Sequence, residues 1–209
     1  MKNEKLIHKL YKGSTKDWVK SDKKDFAGMT HGNTDQPDTY GELTMVGVAT
    51  MIKKFQSRFD DPEGVFYDLG SGHGRVVSHV ALSSNMKKVC GVELCKKRHA
   101  AAIKKIKEID FPDTKPTLIN GDFFEQDYSD ATMAYIDNTM YKGEILDQIF
   151  PKLPEDCILI YQTGWILSGD PVFNVQTTYN QNLKVEPGRE MIYYTMTRAA
   201  WRYAGGHEF

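Results

Sequence analysis

Three acids stand where three apolar runs end, and glycines crowd beside the first of them. Val65-Phe66-Tyr67-Asp68-Leu69 leads into Gly70-Ser71-Gly72-His73-Gly74-Arg75, with glycine at every second position. Val89-Cys90-Gly91-Val92 ends in Glu93, 25 residues after Asp68, and Leu118-Ile119-Asn120 runs into Gly121-Asp122-Phe123. Each pattern predicts a strand, and the first pair predicts strand, glycine turn, helix, strand. That unit holds adenosine-bearing ligands at the carboxyl ends of parallel strands. Gly70 and Gly72 let the backbone turn tightly and approach such a ligand. A carboxylate at Glu93 can accept both hydroxyls of a ribose. One at Asp122 can accept from the adenine amino group while Phe123 covers the ring. Taken alone, Asp122 reads as a helix N-cap; three acids at three strand ends favour the binding reading.

These groups need a sheet to hold them, and the rest of the chain supplies one. Strands are predicted near 65–69, 88–92, 117–120, 132–137 and 157–161, separated by helices near 75–84, 96–109 and 143–150. Strand and helix in alternation mean parallel strands joined by crossovers. Apolar spacing at Met45, Val48, Met51, Ile52 and Phe55 predicts a further helix packed on the sheet. Two β-rich runs, near 172–185 and 190–198, flank Glu186-Pro187-Gly188 and predict a closing hairpin. Residues 3–24 read as one or two short helices, with Ser14 a cap for the second, and residues 27–39 read as a loop rich in Gly, Asn, Asp and Pro.

Composition narrows the class. At 209 residues, 40% hydrophobic and 26% charged, the chain is that of a single globular domain. No apolar run reaches the roughly 20 residues that span a bilayer, and Met1-Lys2-Asn3-Glu4-Lys5 carries no apolar signal core. Cys90, Cys95 and Cys157 are odd in number, fit no metal-ligand pattern and read as reduced intracellular thiols. No metal is expected. The net charge of -1 argues against a protein coated for nucleic acid. Residues 1–24, however, hold eight lysines against three acids, a net +5. That segment is either a solvated face or a docking surface for DNA or another acidic partner.

The turn Asp68-Leu69-Gly70-Ser71-Gly72 differs from the G-x-G-x-x-G of dinucleotide enzymes and lacks the Gly-Lys-Ser/Thr of a P-loop. It resembles the S-adenosylmethionine (SAM) turn of class I methyltransferases. The implied fold is α/β and Rossmann-like: a mainly parallel seven-stranded sheet ending in an antiparallel hairpin. The domain is expected over 39–200, behind a helical basic segment and loop at 1–38 and ahead of a tail at 201–209.

Further motifs sharpen the resemblance. Tyr40-Gly41-Glu42 precedes the first helix, Gly91-Val92-Glu93 and Gly121-Asp122-Phe123 end the second and third strands, and Asp137-Asn138-Thr139 follows the fourth. Tyr193-Tyr194 and the later Arg198 lie in the last strand run. In this combination the chain resembles, from about 39 to 198, the Dot family (disruptor of telomeric silencing) of non-SET histone lysine methyltransferases. The resemblance implies that Tyr40, Gly41 and Glu42 form a loop over the methionine part of SAM, with Glu42 near its amino group. It implies that Asp68, Gly70 and Gly72 bind the same end, Glu93 the ribose, and Asp122 and Phe123 the adenine. Asn138 is placed beside the transferred methyl, and Tyr194 in the wall of a lysine channel. Without the resemblance, Tyr40-Gly41-Glu42 reads as a loop leading into a helix, and Tyr193-Tyr194 as an ordinary strand pair.

Departures from the family pattern are specific. The family's Asn-Asn-Phe is here Asp137-Asn138-Thr139, which removes an aromatic from the channel mouth; Tyr141 is the expected replacement, with Trp165 a further aromatic candidate. The glycine turn continues His73-Gly74-Arg75, and His73 is expected to face solvent. The Asp/Asn-Pro-Pro-aromatic motif of adenine N6 methyltransferases is absent. The expectation is a monomeric histone H3 methyltransferase of nucleosomes, without membrane contact. It would be nuclear (or at a host nucleus or viral factory), and its compactness suits a protist or a large DNA virus. The alternatives are a lysine methyltransferase of a non-histone protein and a catalytically dead SAM-binding chromatin module.

Overall fold

The fold is seen in a computed structural model, which describes residues 5–6, 11, 40–138, 141, 145–162, 171–181, 184–185 and 189–203. Of the expected N-terminal helices only Lys5, Leu6 and Tyr11 are described, and all three are helical; the Ser14 cap, the 27–39 loop, Trp165 and the Glu186-Pro187-Gly188 turn lie outside the described residues, as do Thr139 and Met140.

Among the described residues nine strands make one sheet. They are β1 (Tyr40–Leu43), β2 (Val65–Leu69), β3 (Lys88–Glu93), β4 (Thr117–Asn120), β5 (Met133–Ile136), β6 (Ile158–Gln162), β7 (Pro171–Gln181), β8 (Lys184–Val185) and β9 (Arg189–Thr197). The order is β1-β7-β9-β6-β5-β2-β3-β4, with β8 paired on β7. Strands β2 to β6 are mutually parallel, and β9 lies antiparallel between β6 and β7. The seven expected strands are therefore present as the run from β7 to β4. One expectation is corrected. Tyr40-Gly41-Glu42 is no loop but part of β1, antiparallel to β7 with Tyr40 opposite Asn180 and Leu43 opposite Thr177. β9 takes one edge of β7, and the opposite edge gives the backbone groups of residues 40–43 a ladder to join.

Among the described residues from Tyr40 onward, six helices flank the sheet: α1 (Met45–Lys54), α2 (Gln56–Phe59), α3 (Arg75–Ser83), α4 (Lys96–Ile106), α5 (Ile145–Ile149) and α6 (Arg198–Tyr203). Thr44 caps α1 by accepting from the Gly47 amide at 3.0 Å. Strand β2 is buried along its whole length, as a central parallel strand must be. Its alternating side chains feed two cores. Val65, Tyr67 and Leu69 pack on one face with Ile136, Tyr161, Phe150 and Trp201, while Phe66 packs on the other with Val48, Met51, Val76, Val77 and Val80 of α1 and α3. Asp68 shares the second face with Phe66, which turns its carboxylate toward β1 and α3.

Candidate active site

The three strand-end acids converge as their spacing implies, and the backbone is what brings them together. Gly70, Gly72 and Gly74 have φ of 91°, 53° and 77°, a left-handed turn that only glycine takes without strain. No protein atom lies within 4 Å of the place a Gly70 Cβ would take, so φ demands the glycine there and the space beside it is free for a ligand. The amides of Gly70 and Ser71 both donate to the Val92 carbonyl at 2.9 Å, which fastens the turn to β3. Gly91 makes that approach possible. A Cβ there would sit 2.7 Å from Ser71 Cβ and 2.7 Å from Val77 Cγ2.

Glu93, 5% exposed, is held from two sides. Its Oε2 accepts from the Gly72 amide and its Oε1 from the Cys95 amide, each at 2.8 Å. Each oxygen has a second lone pair beyond these bonds. Asp122 does what its bland reading said: its Oδ1 caps the short 3-10 turn Phe123–Glu125 by accepting from the Phe124 amide at 2.9 Å. The second carboxylate oxygen is not used by that cap. Phe123 meets the edge of Tyr141, ring centroids 5.8 Å apart, and the Tyr141 amide donates to the Asn138 carbonyl at 3.1 Å. Tyr141 therefore stands with the expected adenine cover. Asn138 is buried at the end of β5.

Glu42, Leu43, Asp68, Gly70, Ser71, Arg75, Val76, Tyr135 and Asp137 line a cleft above β2. Asp68 is fully buried, and burial holds its carboxyl well above the usual carboxylate range; the charges of Glu93, Asp137 and Glu42 push the same way. Arg75 meets Glu42 at 2.7 Å in a buried ion pair. Three residues here were not legible as site residues: Arg75, Asp137, and Tyr11, which is 2% exposed and reaches the turn from far upstream. His73 corrects another expectation. It is 1% exposed rather than solvent-facing, and burial together with Lys105, Arg98 and Arg75 pushes its imidazole down to about 3. The cause is α4, whose Ala102 packs against Gly74 and shuts the turn off from water.

Away from the cleft, β6 pairs Tyr161 with Ile136 of β5 on one side and with Tyr194 of β9 on the other. The two tyrosine rings stack at 6.1 Å and 26°. Tyr194 is partly buried, and the Tyr161 hydroxyl, fully buried, is pushed up to about 12 by desolvation and by Tyr194.

A strand-end glycine turn with an acid on the next strand is shared by many enzymes; the match to a family decides among them. Residues 23–157 match the family described as "Histone methylation protein DOT1". The chain belongs to the DOT1 family. A protein-lysine N-methyltransferase of Saccharolobus islandicus (strain REY15A) is 33% identical over 95 residues, 45% of this chain and 56% of that protein, so the chain spans little more than half that relative's length. An RNA methyltransferase from Salinibacter ruber, solved with S-adenosyl-L-homocysteine, superposes with a TM-score of 0.53 at 22% identity, over 75% of this chain and 94% of that one. The tRNA (m1A58) methyltransferase TrmI from Aquifex aeolicus gives a TM-score of 0.53 at 10% identity, over 75% and 70%. These likenesses establish the class I methyltransferase fold.

SAM is the cofactor of the DOT1 family, and the cleft fits it. Four carboxylates, Glu42, Asp68, Glu93 and Asp137, crowd one region, and burial together with the other three raises the carboxyl of Asp68, so the region calls for a ligand with positive charge. The sulfonium and the α-ammonium supply two such charges, and the open space beside Gly70 admits a chain that a Cβ would block. Glu42, Asp68 and Gly70 would hold the methionine end, Glu93 the ribose through the lone pairs its backbone bonds leave, and Asp122 and Phe123 the adenine.

Proposed function

We propose that this DOT1-family chain is a SAM-dependent protein-lysine N-methyltransferase whose substrate is histone H3 in nucleosomes. The observation that supports the reading is the burial of Asn138 just past β5, the strand that lies between β2, whose end lines the acid cleft, and β6, which carries Tyr161 beside Tyr194. When bound, SAM supplies a methyl group on a positively charged sulfur. A lysine accepting that methyl would need a free lone pair, so its amine must first be neutral. A lysine starts near pKa ~10.4. A dry wall of Tyr194 backed by Tyr161 favours the uncharged amine by desolvation, and a cation next to it adds repulsion. Asn138 holds the nitrogen in line through its amide oxygen, an alignment that serves in place of a general base. The +5 lysine-rich segment at residues 1–24 is the part suited to the acidic surface of a nucleosome, and a nuclear location accompanies that substrate.

A second reading has its own support. The Saccharolobus islandicus relative is named for protein lysine, with no histone in its name, so a non-histone protein is the alternative acceptor. Incubation with radiolabelled SAM and separate pools of nucleosomes, free histones and a histone-free extract tests both. Label on H3 in nucleosomes is the expected result. Label confined to the histone-free extract would replace the substrate, and label in none of the pools would remove the enzymatic reading.

A further inference from the structure

Tyr11 precedes by almost thirty residues every group expected to touch the cofactor, yet it is bound to the glycine turn at several points. Its hydroxyl donates to the Gly74 carbonyl at 2.9 Å and lies 2.9 Å from Ser78 Oγ. Its carbonyl accepts from Arg75 Nη2 at 3.3 Å, and the Arg75 guanidinium lies over its ring, 5.5 Å from the centroid. Lys105 Nζ approaches the same ring at 4.7 Å. The other engagements of Arg75 reach β1. Nη2 pairs with Glu42 Oε1 at 2.7 Å, and Nη1 donates to the Leu43 carbonyl at 3.2 Å. One planar fork, with two nitrogens set apart where lysine has one, thus ties Tyr11 and β1 to the start of α3.

All three segments meet at one end of the cleft. Glu42 and Arg75 line it, and Gly74 closes the turn that forms its floor. We propose that Arg75 and Tyr11 are positioning residues for the methionine end of SAM: Arg75 aims the Glu42 carboxylate into the cleft, and Tyr11 fixes Arg75 and the turn. The N-terminal segment is then a working part of the cofactor site. This rests on the reading of the cleft as a SAM site, and the test separates the two.

The measurement is SAM affinity of the full chain by calorimetry, with melting temperature recorded for every variant. Tyr11→Phe keeps the ring and removes the hydroxyl; it should weaken SAM binding about five- to tenfold, the size of one or two neutral hydrogen bonds. Arg75→Lys keeps the charge and loses the fork, and should weaken binding by about tenfold or more. If Arg75 acts through Glu42, the double variant Arg75→Met with Glu42→Gln should bind no more weakly than Glu42→Gln alone. Variants that melt lower but bind SAM like wild type would reduce both residues to packing and overturn the proposal. Fully additive losses would mean that Arg75 touches the cofactor itself, which also overturns it. Should Arg75→Met fail to fold, Tyr11→Phe and Arg75→Lys decide the matter. A wild-type protein that does not bind SAM would sink the cofactor reading and this inference with it, an outcome visible before any variant is made.

Discussion

The parallel half of the sheet, β2 to β5, and the antiparallel rim, β1 with β7 and β9, build their parts of the site by opposite means. In the parallel half the main chain does the building. Gly70 and Ser71 donate to Val92, Gly72 and Cys95 to Glu93, and Gly121 to the Glu93 carbonyl at 3.2 Å. These partners belong to adjoining strand–turn units, so the pocket for the methyl donor stands ready before any ligand arrives. On the rim the building is done by side chains from distant segments: Glu42 to Arg75, Tyr194 to Tyr161. A site made of backbone tolerates few changes; a site made of side chains on paired strands can be retuned one residue at a time. That division suits an enzyme fold whose donor is constant and whose acceptors differ.

The comparison breaks most visibly at Glu93. Glu93→Ala removes the acceptor of two buried amides, each costing about 1–3 kcal/mol, so the turn itself should loosen. Calorimetry should find SAM binding lost, and the melting temperature should fall by several degrees at roughly 2–4 °C per kcal/mol for a chain of this size. Binding near wild type would show that the backbone scaffold is not the donor site.

The rim should respond differently. Tyr194→Ala should leave SAM affinity intact, cut turnover by about 10–100-fold at pH 7, and recover in part at higher pH, because bulk pH then supplies the neutral amine that a wetter wall no longer favours. Asn138→Ala should lose about 100-fold at every pH, as expected of lost alignment. Parallel pH–rate profiles for the two variants would erase the distinction drawn between desolvation and orientation.

A subtler effect belongs to Asp68. Burial, with Glu93, Asp137 and Glu42 beside it, raises the folded carboxyl well above the ordinary 3.8 of a free aspartate, so above that ordinary value the native state keeps a proton that the unfolded chain has lost. Stability of the ligand-free protein therefore falls as pH rises through that window. A bound cation favours the ionised form, so SAM binding should release a proton there and tighten with rising pH. Calorimetry in two buffers of different ionisation enthalpy measures the release; Asp68→Asn should abolish it. Glu42, Glu93, Asp137 and Arg75 face the same space, and release that survives Asp68→Asn would assign it to one of these acids.

The smallest effect is expected at the amino ends of the strands. Lys88 Nζ reaches Asp130 Oδ2 and the Tyr67 hydroxyl, each at 2.7 Å, with all of this opposite the cleft. Lys88 holds the Asp130 carboxyl below its usual range, so the pair's contribution is present above that range and lost as acid protonates Asp130. Both groups are about half exposed, and Asp130→Asn should cost only about 0–1 kcal/mol with no change in SAM affinity or turnover.

What could be read in advance follows the same division. Strands 65–69 and 117–120 fall where the apolar runs placed them, and 88–92, 132–137 and 157–161 shift by a residue. Their signal is local. The helix expected at 143–150 ends one residue early, at Ile149, where Pro151 belongs to a 3-10 segment, and its first two expected residues lie outside the described ones. The glycine turn and its acids were legible because φ and charge constrain single residues. Strand β1, the burial of His73 and the engagement of Tyr11 were not, since each depends on a partner thirty or more residues away that no short window contains.

One feature of the sheet bears on how the molecule behaves in company. Both outermost strands, β1 and β4, are only four residues long, and the Asn120 side chain at the end of β4 turns back to donate to the Glu93 carbonyl at 2.7 Å. A rim so short offers a neighbouring chain few free amides and carbonyls to pair with. The long strands β7 and β9 satisfy one another, but β1 covers only residues 177–180 on the outer edge of β7. Among the described residues, the stretch 171–176 of that edge is where the sheet offers unpaired backbone groups to a neighbouring chain.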